Sequence, residues 1–310
     1  MKYVVTGGVG FIGSNLVDRL LKNKHQVIVI DNLESHESRN RLESSELSHW
    51  KHNKNLKILF DDISNMKDYK LFEGASTMFH FAALPEVQLS IKKPLKYHNA
   101  NVNGTIKMLD ACVQSKIKRF IFSSSSAVYG DAQNLPTKEE SSLNPKSPYA
   151  LHKIIGEKYC KLFEFHYGLE TFSLRYFNVY GKRQPMSGLY CTVIGKFINQ
   201  IIKNLPLTIN GNGEQRRDFV CVKDVIEANM ICSSIKHIKE NVINIGSGVN
   251  HSINELASLL NSSYPTINKP AAFEPYETLA DIDKATNMID WTPKTELRTW
   301  INGYKEELGL

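Results

Sequence analysis

The first thirty residues alternate between short apolar runs and a helical pattern. The run "KYVVT" (2–6) is rich in β-branched residues and ends in glycines. From residue 11 onward, apolar residues recur at helical spacing, at positions 11, 12, 16, 17, 20 and 21. A second apolar run, "QVIVIDN" (26–32), follows. The pattern predicts a β-α-β unit, which builds a parallel sheet through a right-handed crossover.

The same alternation continues as far as residue 181. Strands are predicted at 56–63, 77–84, 118–126 and 170–181, and a helix at 99–115. A longer helix is predicted at 147–168, with Ser147 as its N-cap, Pro148 in its first turn and Gly168 at its end. This many alternations predict an α/β fold, with a doubly wound Rossmann-type parallel sheet.

The pattern changes after residue 181, where a smaller mixed α/β domain is predicted. A loop precedes a helix at 191–204, a strand and turn occupy 207–220, and a capped helix lies at 252–263. The run 241–248 resembles one more strand of the main sheet. We therefore expect a large domain of residues 1–180 and about 214–247, interleaved with a small domain of residues 181–213 and 248–310.

Composition narrows the class of protein. The 310 residues carry a net charge of +6, without a basic cluster that contains aromatic residues, so no nucleic acid is expected as a partner. No run approaches the ~18 apolar residues of a membrane span. The five cysteines, at positions 112, 160, 191, 221 and 232, lack metal-site spacing and indicate reduced thiols in a cytoplasmic protein without a metal.

A glycine-rich loop, "TGGVGFIG" (6–13), joins the first strand to the first helix. Glycines at this place let the backbone approach a pyrophosphate at the helix N-terminus. Asp31 ends the next strand and can accept a hydrogen bond from a ribose 2′-hydroxyl, whereas it would repel a 2′-phosphate. NAD is therefore predicted rather than NADP; a structural glycine turn is the alternative. Asp62 in "DDI" is a candidate for the adenine amino group, or else part of a strand-end turn.

Tyr149 and Lys153 lie four residues apart near a predicted helix start and so share one face. A nearby ammonium and a cationic nicotinamide would both favour the phenolate, so Tyr149 is a candidate general base. The serines 123–126 end the preceding strand, at the edge where open α/β sheets bind ligands. The alternatives are a surface Tyr–Lys pair and serines that only stabilise a turn.

These motifs together resemble the extended short-chain dehydrogenase/reductases, specifically the NAD-dependent nucleotide-sugar epimerases. The resemblance covers nearly the whole chain, because "TGGVGFIG", "DNL", "DDI", "FHFAAL", "NVNGT", "FSSSSAVYG", "PYALHK", "RYFNVYG", "NGNGEQRRDFV" and "NIGSG" occur in the family's order. It implies that Tyr149 is the base, that Lys153 tunes it and binds the nicotinamide ribose, and that Ser125 is the catalytic serine. Ser126 and Ala127 stand where water-eliminating relatives carry Asp and Glu, which favours epimerisation.

The resemblance also implies that the large domain binds NAD, that the small domain binds the nucleotide sugar, and that two sets of residues bind these ligands. The NAD set is Gly7, Gly10, Phe11, Ile12, Gly13, Asp31, Asn32, Asp62, Ile63, Phe81, Ala82, Ala83, Asn101, Tyr149, Lys153 and Tyr176. The substrate set is Glu86, Ser125, Tyr149, Asn178, Thr192, Val193, Lys196, Thr208, Ile209, Arg217 and Thr278. Within it, Arg217 is expected on the diphosphate, with a surface salt bridge as the alternative. The second arginine of the family is missing from 269–285, where Lys269 could substitute although its spacing differs.

The resemblance implies a UDP-hexose 4-epimerase, in a homodimer formed by helices near 90–115 and 148–167. Thr278 stands at the family's gate beside the sugar 2-substituent, and its small size leaves room for an N-acetyl group, so UDP-GlcNAc and UDP-GalNAc are expected beside UDP-Glc and UDP-Gal. Glu86 could read a hydroxyl or an amide of the sugar. The alternatives are a reductase or dehydrogenase with net redox, an epimerase of another nucleotide sugar such as UDP-glucuronate, and a non-catalytic NAD-binding regulator.

Overall fold

The computed structural model describes residues 1–188, 191–236, 238–271 and 274–309. By packing, the chain divides into two compact units. The first unit is Met1–Ser125, Lys146–Arg175 and Asn229–Ile243, and the second unit is Ser126–Pro145, Tyr176–Ala228 and Asn244–Leu310. These units are defined by packing, whereas the predicted domains are defined by their ligands. The predicted assignment of NAD to 1–180 and 214–247 therefore stays a prediction.

Strands and helices alternate along most of the described chain. The strands are β1 Lys2–Thr6, β2 Gln26–Ile30, β3 Leu56–Leu59, β4 Thr77–His80, β5 Arg119–Ser125, β6 Glu170–Tyr176, β7 Asn178–Tyr180, β8 Leu207–Asn210, β9 Arg216–Cys221, β10 Val242–Ile245, β11 Asn250–Ser252 and β12 Thr266–Lys269. The helices are α1 Phe11–Lys22, α2 His36–Glu43, α3 Val87–Lys92, α4 Pro94–His98, α5 Gly104–Gln114, α6 Pro148–Tyr167, α7 Val193–Ile202, α8 Val222–Ser234, α9 Ile253–Asn261, α10 Asp283–Ile289 and α11 Leu297–Leu308.

The main sheet has seven strands in the order β10-β6-β5-β4-β1-β2-β3. Strand β1 pairs in parallel with β2 on one side and with β4 on the other. Its residues Val4 and Val5 are fully buried, as expected for a strand covered on both faces. The strand order reverses between β1 and β4, and such a switch point is where doubly wound sheets bind ligands. The predicted Rossmann-type α/β fold is confirmed.

Glycines allow the loop after β1 to pack closely at this switch point. Gly7 has φ +66°, and a Cβ there would lie 2.7 Å from the Ala82 nitrogen in the loop after β4. A Cβ on Gly13 would lie 2.2 Å from the Gly7 carbonyl oxygen. Both positions are therefore closed to larger residues, because the obstructing atoms belong to the backbone and cannot move aside.

Replacement of Gly13 by alanine is expected to lower the free energy of unfolding by about 1–3 kcal/mol, the usual cost of overpacking, and to reduce the NAD that copurifies. Thermal unfolding and the absorbance of extracted NAD measure the two effects. Gly303→Ala in α11 is the matched control, since a Cβ there meets no atom within 4 Å. It should leave NAD content unchanged and slightly raise stability through helix propensity. Equal effects of the two substitutions would refute the packing argument.

The second unit contains two small sheets. One has the order β11-β9-β7, in which β9 runs antiparallel to β11 and parallel to β7; the other pairs β8 with β12 in parallel. Helices α7, α9 and α11 cover an apolar cluster shared with these strands, which includes Phe197, Leu207, Phe219, Leu256 and Ile301. This is the predicted smaller mixed α/β part of the fold.

Within the described ranges, no helix is both long and apolar enough to cross a membrane. The same residues contain no group of three or more His, Cys, Asp or Glu side chains that could hold a metal ion.

Candidate active site

Helix α1 begins without a side-chain cap. Its N-cap is Gly10, which offers no side chain. The structure describes the whole of Phe11–Lys22, and the first turn of this helix carries no acidic residue. Helices α6, α7 and α9 differ, because Ser147, Thr192 and Ser252 cap them through their hydroxyls. The first-turn N–H groups of α1 are therefore left for a ligand, and the helix dipole favours an anion there. This end of α1 fits the pyrophosphate of a dinucleotide.

The Asp31 carboxylate is held against the glycine loop. It accepts hydrogen bonds from the backbone nitrogens of Val9, at 3.0 Å, and of Leu33, at 2.9 Å. Burial raises the pKa of Asp31, while these two bonds and the Arg41 guanidinium lower it in part. Arg41 itself donates to the Val9 carbonyl at 2.7 Å. Arg41 was missed in the sequence, because it lies in a polar stretch without a motif.

Asp62 and Asn32 lie together at the ends of neighbouring strands. The Asn32 amide donates to Asp62 Oδ2 at 3.3 Å, and the Ser64 nitrogen and hydroxyl donate to Oδ1 at 2.8 and 2.7 Å. Burial acts to raise the pKa of Asp62, but the bonds from Ser64 and Asn32 lower it below its ordinary value. Asp62 is therefore ionised at neutral pH, while the neighbouring Ile63 is buried. The predicted contact with adenine stays a prediction.

The loop after β4 is anchored at both ends. The backbone nitrogens of Phe81 and Ala82 donate to the Thr6 carbonyl and hydroxyl, at 3.1 and 3.2 Å. The Asn101 amide accepts from the Leu84 nitrogen at 2.7 Å and donates to the Leu84 carbonyl at 2.9 Å. Asn101 is thus engaged in holding this loop in place. Of the predicted NAD residues, Tyr176 is buried and belongs to the second unit.

The structure brings the three predicted catalytic residues together in the first unit. The Ser125 side chain is hydrogen bonded to that of Tyr149. The Lys153 ammonium lies 5.7 Å from the centre of the Tyr149 ring and donates to the Ser123 carbonyl at 2.7 Å. The Tyr149 backbone nitrogen donates to the Ser90 hydroxyl at 3.2 Å, which fixes the start of α6 against α3.

Burial is the main influence on the pKa values of Tyr149 and Lys153. It raises the pKa of Tyr149, and the hydrogen bond from Ser125 lowers it only in part. It also lowers the pKa of Lys153 to about 8, against the opposing effect of the Glu157 carboxylate. The protein alone therefore raises the pKa of Tyr149, whereas a general base near neutral pH needs a lowered pKa. A further positive charge is needed to favour the phenolate.

The second unit contains a pocket of about 590 Å³, a size typical of ligand sites. Six of the predicted substrate residues line it: Asn178, Thr192, Val193, Lys196, Thr208 and Arg217. Ile209 is not among the lining residues, because its side chain is buried in the apolar cluster, so any contact with a ligand would come from its backbone. Thr278 is also outside the lining, but its hydroxyl accepts from the Asn178 amide at 3.3 Å.

Arg217 is the best-fixed cation of this pocket. Its NH1 group donates to the carbonyls of Arg216, at 2.8 Å, and of Tyr276, at 3.1 Å. Its NH2 group forms an ion pair with Glu274 at 3.0 Å. Glu274 lines the pocket as well. Glu274 was not predicted as a site residue, because it belongs to the segment 269–285, which departs from the family pattern.

Two lysines add positive charge to the same region. Lys196 donates to the Thr208 carbonyl at 3.2 Å. Burial lowers the pKa of Lys196, and the ammonium of Lys269 lowers it further, so the two side chains are electrostatic neighbours. Lys269 ends β12, next to the pocket residue Asn210 of β8. Its position thus supports the suggestion that it replaces the missing arginine.

Glu86, like Ser125 and Tyr149 of the predicted substrate set, does not line the pocket of the second unit. It lies in the first unit, at the N-cap of α3, and is buried. Its carboxylate accepts a hydrogen bond from the Tyr97 hydroxyl. Its predicted contact with the sugar stays a prediction.

Asp218 of the motif "RRDF" is hydrogen bonded to the motif "NIGSG". It is fully buried, and its carboxylate accepts from the backbone nitrogens of Ser247 at 2.6 Å, Gly248 at 3.1 Å and Ala280 at 3.0 Å. Asp218, which follows Arg217 in β9, therefore links β9 to the loop after β10 and to the segment that contains Ala280.

The chain is similar over nearly its whole length to known UDP-sugar 4-epimerases. The putative UDP-glucose 4-epimerase of Methanocaldococcus jannaschii is 37% identical over 304 residues, which are 96% of this chain and 95% of that protein. The UDP-N-acetylglucosamine 4-epimerase of Methanobrevibacter ruminantium, solved with UDP-N-acetylmuramic acid, is 36% identical with a TM-score of 0.88, over 99% of this chain and 98% of that one. The UDP-glucuronic acid 4-epimerase of Bacillus cereus, solved with UDP-glucuronic acid and NAD, is 32% identical with a TM-score of 0.88, over 99% and 100%.

The family model agrees with these similarities. The model of the NAD-dependent epimerase/dehydratase family matches residues 3–246. The predicted resemblance, the class of enzyme and the cofactor NAD are thereby confirmed. Since the model covers more than half of the sequence and the relatives match from end to end, the chain belongs to the NAD-dependent epimerase/dehydratase family.

Proposed function

We propose that this chain is a UDP-hexose 4-epimerase that interconverts UDP-Glc with UDP-Gal and UDP-GlcNAc with UDP-GalNAc. The observation that carries the proposal is the Ser125–Tyr149 hydrogen bond with Lys153 beside it. The pocket with Arg217 and Lys196 supports a diphosphate-bearing substrate, because cationic side chains are the usual partners of phosphate. Relatives named for UDP-glucose and UDP-N-acetylglucosamine support the choice of sugars.

Each catalytic residue has a defined part in this reaction. Tyr149 accepts the proton of the sugar 4-hydroxyl and returns it after the sugar has turned. Ser125 shares that proton through its hydrogen bond with Tyr149. Lys153, in its ammonium form, favours the phenolate. Bound NAD⁺ would supply a hydride acceptor for C4 and the positive charge that the protein alone lacks beside Tyr149.

The residues after Ser125 favour epimerisation over elimination. Loss of water from the sugar needs an additional acid and base. Ser126 and Ala127 have no carboxylate to serve in either part.

A panel of UDP-sugars tests the proposed substrates. The purified protein is incubated with UDP-Glc, UDP-GlcNAc and UDP-glucuronate, and the anomeric protons are followed by NMR. We expect epimers of the first two without net formation of NADH. Turnover of UDP-glucuronate alone would favour the sugar-acid epimerase, for which the Bacillus cereus relative is a precedent. Stoichiometric NADH would favour a dehydrogenase.

Thr278 is the proposed gate for the sugar 2-substituent. We expect Thr278→Tyr to lower kcat/KM for UDP-GlcNAc relative to UDP-Glc by at least about tenfold, since a bulky ring would fill the space of the N-acetyl group. Thr278→Ser is the matched control, because it keeps the hydroxyl that the Asn178 amide contacts. The ratio of the two kcat/KM values is the measurement, and an unchanged ratio in Thr278→Tyr would exclude the gate.

We also propose that the enzyme is a homodimer. Exposed apolar side chains on packed helices of the first unit support it: Leu95 is 85% exposed, Ile91 48% and Leu151 46%. Their helices α3, α4 and α6 contact one another, and a contiguous exposed apolar surface is typical of one that another chain covers. Sedimentation velocity measures the assembly, and a monomer at micromolar concentration would contradict it.

A further inference from the structure

Three consecutive serines of β5 each contact a residue on one face of α6. The face is formed by side chains at positions i, i+4 and i+8 of the helix. The partners of Ser123, Ser124 and Ser125 are, in that order, Lys153, Glu157 and Tyr149. Two of these partners are the proposed catalytic residues. The remaining partner, Glu157, has no role in the mechanism proposed above.

Glu157 is fixed by three hydrogen bonds. Its Oε1 accepts from the Ser124 hydroxyl at 2.5 Å and from Arg175 Nε at 2.9 Å, and its Oε2 accepts from Arg175 NH2 at 2.7 Å. Both side chains of the Glu157–Arg175 pair are only 5% exposed. A buried ion pair is weak support for stability, because desolvation of the two charges offsets most of their attraction. A role beyond stability is therefore to be sought.

The surroundings of Lys153 show what that role is. His80 of β4 faces it, but burial lowers the pKa of His80 to about 3. Burial also lowers the pKa of the adjacent His152 to about 4, and it raises the pKa of the Cys160 thiol well above its usual range. At pH 6–9 these three groups are uncharged. Arg175, on β6, carries a positive charge and pairs with the Glu157 carboxylate through two hydrogen bonds.

The Glu157 carboxylate thus partly offsets the effect of burial on the pKa of Lys153. Burial lowers the pKa of Lys153 to about 8, and Glu157 is the strongest of the groups that raise it again. The phenol of Tyr149, on the same helix face, is the other titratable neighbour, and its pKa is raised by burial. Removal of the carboxylate therefore moves the loss of the ammonium to lower pH.

We propose that Glu157 is a positioning residue of the epimerase, whose carboxylate, fixed by Arg175 and Ser124, keeps Lys153 in its ammonium form and holds the end of β5 against α6. Its effect on the reaction rests on the proposed function. Its effect on the charge of Lys153 does not, since that charge can be measured without turnover.

Two variants separate the charge of Glu157 from its packing. Glu157→Gln keeps the shape and can still accept from Ser124, but it leaves Arg175 buried without its counterion, so a loss of stability is expected. The double variant Glu157→Gln/Arg175→Met removes both charges and should regain most of that stability. Glu157→Asp keeps the carboxylate and is the conservative rescue. Glu170→Gln is the matched control, because Glu170 pairs with Arg119 on the same two strands, β5 and β6.

The direct measurement is the titration of Lys153 by NMR in protein labelled with ¹³C at the lysine ε-carbon, with the signal assigned by its absence in Lys153→Arg. Relative to the midpoint of the unmodified protein, we expect that of Glu157→Gln, which keeps the Arg175 charge, to lie at least about one pH unit lower, and that of the double variant to lie lower by a smaller amount. Glu157→Asp should lie within about half a unit of the unmodified protein, and Glu170→Gln should not shift. An unchanged midpoint in the double variant would overturn the proposal, and so would an equal shift in Glu170→Gln.

The pH profile of kcat/KM extends the test to the reaction. Its basic limb should move to lower pH in the double variant by the same amount as the NMR midpoint. A loss that is equal at every pH would show a merely structural role and contradict the proposal. If the unmodified protein epimerises no UDP-sugar, the proposed function fails, while the NMR midpoint still decides whether Glu157 sets the charge of Lys153.

Discussion

Tyr149→Phe is expected to lower kcat for epimerisation by about 10²–10⁴-fold, the usual contribution of a positioned general base. Phenylalanine keeps the ring beside the Lys153 ammonium but lacks the hydroxyl that Ser125 contacts. The protein should therefore fold and retain NAD, while the 4-hydroxyl proton has no acceptor. The rate of epimer formation by NMR and the content of extracted NAD are the two measurements.

Tyr129→Phe is the matched control for this substitution. Its hydroxyl donates to the Asn244 side chain at 2.6 Å in the second unit, so its loss is expected to affect stability more than turnover. Ser125→Ala should lie between the two, because Tyr149 keeps its own hydroxyl. Turnover of Tyr149→Phe within threefold of the unmodified enzyme would remove Tyr149 from the mechanism.

Arg217→Met is expected to weaken the binding of UDP by about 30–1000-fold, or roughly 2–4 kcal/mol, because the proposed function places this buried charge against the diphosphate. Arg217 is 6% exposed and its guanidinium is anchored by two carbonyls, so it is already oriented before a ligand arrives. Methionine keeps much of the side-chain volume without the charge. Titration calorimetry with UDP measures the affinity, and thermal unfolding monitors the fold.

The neighbouring Arg216 provides the control for Arg217. It lies on the same strand, but its guanidinium pairs with Glu255 and contacts Asn250. Arg216→Met should leave the affinity for UDP nearly unchanged. Lys269→Ala should reduce it by a few-fold only, because the Lys269 side chain is exposed and screened by solvent. Equal losses in Arg216→Met and Arg217→Met would show that the strand, rather than the phosphate contact, is affected.

Features that depend on local sequence were predictable. The alternation of strand and helix gives the sheet, and the glycine loop places its ligand end, because both follow from spacing within about thirty residues. The association of one of the serines 123–126 with Tyr149 and Lys153 was predictable because a strand end and the start of the next helix lie at the same edge of the sheet. That this serine is Ser125 was implied only by the resemblance to the family.

Properties that depend on packing were not predictable. Glu157 resembles any charged residue of a helix until its bidentate contact with Arg175 is seen. Glu274 lies in an irregular segment, so that neither periodicity nor motif indicated its pairing with Arg217. The raised pKa of Tyr149 follows from its burial, which the sequence does not reveal.

Incubation of the purified protein with UDP-GlcNAc in D₂O tests the central claim most directly. In the proposed mechanism, Tyr149 and Ser125 exchange only the hydroxyl proton with solvent, whereas the hydrogen on C4 would leave and return as hydride without contact with water. We therefore expect UDP-GalNAc to form with protium retained at C4, as seen by proton NMR, and without net NADH. Deuterium at C4, or NADH in proportion to consumed substrate, would contradict the account.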